Sequence, residues 1–178
     1  MRKPVVLSLA LLLTVALGHA TASRQALAAS AQEASREAQD LEKQRMLQAS
    51  SKAIEVLTAQ LDGDRSKLEK AVSESVAIYD QIVAANPANI KALNGRGSVK
   101  EMLAAGNGAA DYNKAVELTT AALAKNDQDG EMYFNRAVAY RGLTSYANAR
   151  ADYQKAIALD PAKPHWALEL KAMEATAQ

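Results

Sequence analysis

His165, between Pro164 and Trp166, is one of two histidines in the sequence, and an imidazole can act as a general base or a metal ligand near neutral pH. Either role needs a nucleophile or a second ligand, and no such partner can be assigned to it, so a surface or packing role is expected. The run Asn126-Asp127-Gln128-Asp129-Gly130 has the composition of an acidic calcium loop. In that register the loop opens on Lys125 and closes on Arg136, where carboxylates are required, so it reads as a turn with Asp129 or a neighbour capping the next helix. Gly95-Arg96-Gly97 has neither a preceding strand nor the third glycine of a phosphate-binding loop. Cysteine is absent, which excludes disulfides, thiolate nucleophiles, thiolate metal ligands and a lipid-bearing cysteine. No catalytic residue, metal site or cofactor site is expected.

The elements that would position these groups are helices. Aromatic residues make up 4% of the 178 residues, and β-branched residues are scarce where strands would need them, so the reading is all-α. Arg2 and Lys3, the apolar run Val5 to Leu17 and the small-x-small Ala20-Thr21-Ala22 have the layout of a secretory signal peptide over 1–22. The apolar run is short for a bilayer-spanning helix, so no stable membrane insertion is expected after cleavage. Losing Arg2 and Lys3 leaves 19 basic against 20 acidic side chains, a near-neutral balance with no nucleic-acid footprint. A periplasmic or secreted location follows as the expectation.

Within 131–161, large and small residues fall at three- and four-residue steps, the spacing by which two antiparallel helices interlock: Tyr133, Ala137 and Tyr140 on the first, Ala149, Tyr153 and Ala156 on the second. With Arg136 and the closing Pro161, the stretch resembles a tetratricopeptide repeat, whose pattern runs W-x2-L-G-x2-Y, then A-x3-F, then Pro. Arg136, and Arg96 upstream, depart from the family's Leu; each is expected to lay its stem on apolar surface and reach solvent or a carboxylate. A weaker unit matches Leu93, Arg96 and Gly97 to Tyr133, Arg136 and Ala137, with Ala115, Thr119 and Ala122 in its second helix. Its extra six residues are expected in the hairpin turn around 104–108.

A third unit is convincing only in Val72, Val76, Tyr79, Ile82 and Val83, and its partner helix is expected to face them with Met46, Leu47, Ala53, Ile54, Leu57 and Leu61. The segments are thus 1–22 (signal peptide), 23–43 (Ala/Gln-rich helix or flexible segment), 44–89 (degenerate hairpin), 90–129 (degenerate repeat), 130–163 (repeat) and 164–178. In the last, Trp166, Leu168, Leu170 and Met173 make the apolar side of a capping helix. Leu27, Ala34 and Leu41, seven apart, could form a weak heptad seam.

The resemblance implies a short right-handed α-solenoid in which the first helices of successive repeats line a concave groove for a partner segment. Displaced from the packing stripes, the groove positions are Lys91, Asn94, Ser98 and Glu101 in one repeat, and Phe134, Asn135, Val138 and Arg141 in the next. Lys91 and Asn135 match fragments of the clamp by which some family members hold a terminal carboxylate, but the clamp's other positions are unmatched. The expected function is a non-enzymatic adaptor or scaffold of the bacterial cell envelope, binding a protein or peptide segment. The alternative is a structural oligomer assembled through the N-terminal helix or the edge of the array.

Overall fold

A computed structural model describes the backbone of residues 5–176 and the side chains of residues 24–176. The signal-peptide reading of 1–22 falls on Met1–Pro4 and on side chains that lie outside the described residues. The described residues form seven helices and no strand: α1 (Val5–Leu61), α2 (Arg65–Ala85), α3 (Ile90–Glu101), α4 (Ala109–Leu123), α5 (Gly130–Gly142), α6 (Tyr146–Leu159) and α7 (Pro164–Thr176).

 The chain divides into two compact units, residues 1–44 and 45–178. In the first, residues 24–41 are a helix with every side chain exposed, Leu27, Ala34 and Leu41 included. Among the described residues no helix is long and apolar enough to cross a membrane.

In the second unit, each helix from α2 onward packs on the next in sequence, and α3 also touches α5. This is the contact pattern of stacked helical hairpins. Local chemistry sets the boundaries. Asp64, Asn89 and Asp129 accept hydrogen bonds from the backbone N–H groups of Lys67, Ala92 and Met132, capping α2, α3 and α5. Gly63, at φ +70°, supplies the left-handed residue that turns the chain from α1 into α2. Asp129 is therefore a helix cap within the 126–130 turn.

The core has three clusters. In the first, Ala49, Val56 and Ala59 of α1 meet Leu68, Ala71, Val72, Ile78, Tyr79 and Ile82 of α2, with Met46 and Ala53 at the margin. The expected inner face is thus corrected: Leu47, Ile54, Leu57 and Leu61 are exposed, and small residues face α2 instead. The second cluster joins Leu93, Tyr112, Ala115 and Ala139; the third joins Ala137, Ala149, Tyr153 and Met173. In α7, Trp166 and Met173 are buried, but Leu168 is 67% exposed and does not belong to the apolar side.

The extra residues of the α3/α4 unit lie in its connections, four of them in the hairpin turn as expected: residues 102–108 join α3 to α4 where 143–145 join α5 to α6. The second-helix ring of the α3/α4 hairpin is Tyr112, buried against Gly97, rather than Thr119, whose hydroxyl donates to the Ala115 carbonyl 2.7 Å away. Tyr112 follows Gly97 by 15 residues, as Tyr153 follows Ala137 by 16, because α4 begins three residues before its ring and α6 seven before its own. α4 then runs 11 residues beyond Tyr112 where α6 runs 6 beyond Tyr153. The two hairpins hold equal numbers of helical residues.

Candidate functional site

Two arginines and their acids hold the hairpins that present the first-helix face. Arg136 on α5 donates from Nε and Nη2 to the two carboxylate oxygens of Asp152 on α6, at 2.7 and 2.9 Å. Arg96 on α3 grips Asp111 on α4 in the same forked manner, and Lys100 adds a contact of 2.9 Å. Each arginine also reaches the preceding second helix: Arg96 meets Asp80 on α2, and Arg136 meets Thr120 on α4. Asp111 and Asp152 are buried, so a planar, permanently charged fork is the partner they require. The expectation that these arginines reach a carboxylate holds.

The sequence reading missed the acids. The signal was present in Ala110-Asp111-Tyr112-Asn113-Lys114-Ala115 and Ala151-Asp152-Tyr153-Gln154-Lys155-Ala156, two copies of Ala-Asp-Tyr-x-Lys-Ala 41 residues apart. Matching Thr119 to Tyr153 hid it. Gly95-Arg96-Gly97 is explained by the same packing: a Cβ at Gly95 would strike the Tyr79 ring, and one at Gly97 would lie 2.9 Å from the Tyr112 ring.

On the first-helix face itself, the eight expected groove residues meet different fates. Lys91 and Ser98 are exposed. Lys91 pairs with Glu131 at 2.8 Å, and Lys163, just before α7, pairs with the other Glu131 oxygen at 2.8 Å. One carboxylate thereby ties the starts of three successive first helices. Asn94 and Asn135 were expected on the surface but are only 6% and 5% exposed. They form the seam instead: Asn94 Nδ2 donates to the Asn135 carbonyl at 2.9 Å, and Asn135 Nδ2 donates to the Glu131 carbonyl at 2.9 Å. An amide side chain is short enough to bridge two closely packed backbones, which is why polar residues occupy these buried positions.

Glu101 also departs from the surface role expected of it. Its carboxylate accepts hydrogen bonds from the Gly106 and Gly108 N–H groups at 2.9 and 2.8 Å, closing the 102–108 loop. Phe134 is half-buried; its ring stacks on Trp166 with centroids 5.2 Å apart and meets Tyr153 and His165 edge-on. Val138 packs at the margin of the third cluster, and Arg141 is ion-paired with Glu169 of α7. The structure therefore brings Phe134, Val138 and Arg141 together against α7, and leaves Ser98 and Lys91 on open surface. Glu169 and Glu174 of α7 pair with Arg141 and Arg150.

Burial pushes the phenols of Tyr112 and Tyr153 up to about 12. For Glu131, burial acts to raise the carboxyl, but hydrogen bonds from Lys163 and Lys91 outweigh it and hold the group below its ordinary range. His165 is exposed on the aromatic cluster, and among the described residues no group of three or more His, Cys, Asp or Glu side chains is placed to hold a metal ion.

Residues 130–163, which comprise α5, α6 and the approach to α7, match the family model for the tetratricopeptide repeat. The chain carries a tetratricopeptide repeat. No curated protein matches the chain in sequence. Among solved structures, the first tetratricopeptide domain of human RPAP3 is 22% identical over 68% of this chain and 91% of its own, with a TM-score of 0.41. The first such domain of Spaghetti (RPAP3), bound to an HSP90 peptide, is 22% identical over 70% of this chain and 94% of its own, at 0.38. MamA RS-1, as a double mutant, is 19% identical over 79% and 83%, at 0.37. Likenesses this loose carry nothing about what the repeat in this chain binds.

Proposed function

We propose that this chain is a non-enzymatic adaptor that holds a segment of another protein on its first-helix face. The observation that carries the reading is the direct packing of α3 on α5 through the Asn94–Asn135 seam. Repeat proteins use the extended surface made by such successive helices for binding. On it, Ser98 is exposed beside the buried Asn94–Asn135 seam, Lys91 stands 61% exposed at one end, and Phe134, Val138 and Arg141 lie half-buried toward α7. A short polar residue flanked by a cation and an apolar edge suits an extended peptide with an acidic group and an apolar side chain.

Surface exposure decides how the site is tested. Lys91→Gln and Ser98→Arg alter exposed positions of the face, and although Lys91→Gln loosens the Glu131 tie, α3 remains capped and packed, so the pair should lower partner affinity roughly tenfold or more while helicity is retained. Isothermal titration with the partner recovered from its native compartment makes the comparison; unchanged affinity in the double variant would remove the groove from the account.

Arg2, Lys3, the Val5–Leu17 run and Ala20-Thr21-Ala22 support export to the periplasm or beyond, with an envelope or secreted protein as the partner. A reporter fused after residue 30 should then be active outside the cytoplasm. Retention of the reporter inside would contradict that location.

A further inference from the structure

Residues 45–61 of α1 are apolar on two opposed faces. Ala49, Val56 and Ala59 lie buried on α2, while Leu47, Ile54, Leu57 and Leu61 on the other side are 65%, 65%, 48% and 88% exposed. The exposed four, with Ser50, follow steps of three and four residues, the spacing by which one helix seats another. Together they present on the order of 400 Å² of apolar surface, the range in which a contiguous patch marks an interaction site. A terminal helix of a repeat array ordinarily turns a polar face to water. This one does not.

The polar groups of that face are ready for burial. Ser50 Oγ donates to the Met46 carbonyl at 2.9 Å and Thr58 Oγ1 to the Ile54 carbonyl at 3.0 Å, so neither hydroxyl donor depends on water. Lys52 beside the strip pairs with Glu55 and with Glu74 on α2, and Asp62 bounds the strip at its C-terminal end. What is left is an uncharged strip of leucine, isoleucine, serine and threonine.

We propose that this strip docks antiparallel on the same strip of a second copy of the chain. An uncharged face does not repel itself, and a twofold contact closes without leaving a further copy of the strip exposed. Antiparallel pairing that sets Ile54 beside Leu57 also lays Leu61 over Ser50, large against small, on both sides of the axis. The strip belongs to α1 and shares no residue with the α3/α5 face, so its test does not depend on the adaptor reading.

Sedimentation equilibrium on the full-length chain across the micromolar range tests it. The wild type should form dimers, and Ile54→Asp and Leu57→Lys should each weaken them roughly tenfold or more, with helicity and melting temperature retained because both sites are exposed. Because the chain lacks cysteine, single thiols report the geometry directly. Ile54→Cys lies near the axis and should be joined by a short bis-maleimide, whereas Leu47→Cys is about 25 Å from its mate at 1.5 Å per residue and should not. A monomer at every concentration, dimers indifferent to both substitutions, or equal crosslinking at 47 and 54 would each overturn the proposal.

Discussion

Tyr153 separates the contribution of a ring from that of its hydroxyl. The side chain is fully buried, yet among the described residues its Oη has no hydrogen-bond partner. Tyr153→Ala should cost about 2–4 kcal/mol, measured by denaturant unfolding, because it empties the third cluster between Ala137, Ala149 and Met173. Tyr153→Phe should be neutral or slightly stabilising, since it removes only an unpaired polar atom. The raised phenol adds a pH signature: its stabilising contribution is full below the ordinary value of 10.0 and is lost as pH rises through about 12. Tyr153→Phe should therefore flatten the alkaline fall in stability, and an unchanged slope would contradict the assignment. Arg136 and Asp152 act as a unit. Arg136→Met should cost about 3 kcal/mol by stranding a buried carboxylate, and adding Asp152→Leu should restore part of it, which a double-mutant cycle measures.

At the level of the helices, Tyr133, Ala137, Tyr140, Ala149, Tyr153 and Ala156 made the α5/α6 hairpin legible because large and small residues alternate there at helical spacing. The α3/α4 hairpin was less legible, since its ring, Tyr112, lies near the start of α4 and the helix then continues far beyond it. The inner face of α1 was hidden for a different reason: alanines pack on α2 while larger residues point away, so side-chain size alone marks the wrong face. Asn94 and Asn135 were taken for surface because their polarity is visible and their backbone partners are not. Gly97 tests the hairpin packing. Alanine gains up to about 1 kcal/mol in helix propensity but sets a Cβ against the Tyr112 ring at a cost of about 1–3 kcal/mol, so Gly97→Ala should destabilise. Glu131 tests the tie among α3, α5 and the approach to α7. Its depressed carboxyl contributes stability above the ordinary value of 4.5 that is lost as pH falls through the folded-state value, and Glu131→Gln should remove that acid-side loss.

For residues 45–178 as a unit, the division of labour follows the direction each residue faces. Buried Arg–Asp forks and tyrosine rings fix the hairpins, the Asn94–Asn135 seam and Glu131 align the first helices, and the residues left exposed on that face are available to a partner. The repeat's most family-like residues therefore account for the scaffold, while Ser98 and Lys91 carry the specificity proposed for it. Photocrosslinking from single positions tests this most directly. A photoreactive side chain at Ser98, on the first-helix face, should capture a discrete partner in the native compartment, and one at the exposed Gln154 of α6 should not. Capture from Gln154 with none from Ser98 would place binding on the opposite surface and contradict the account.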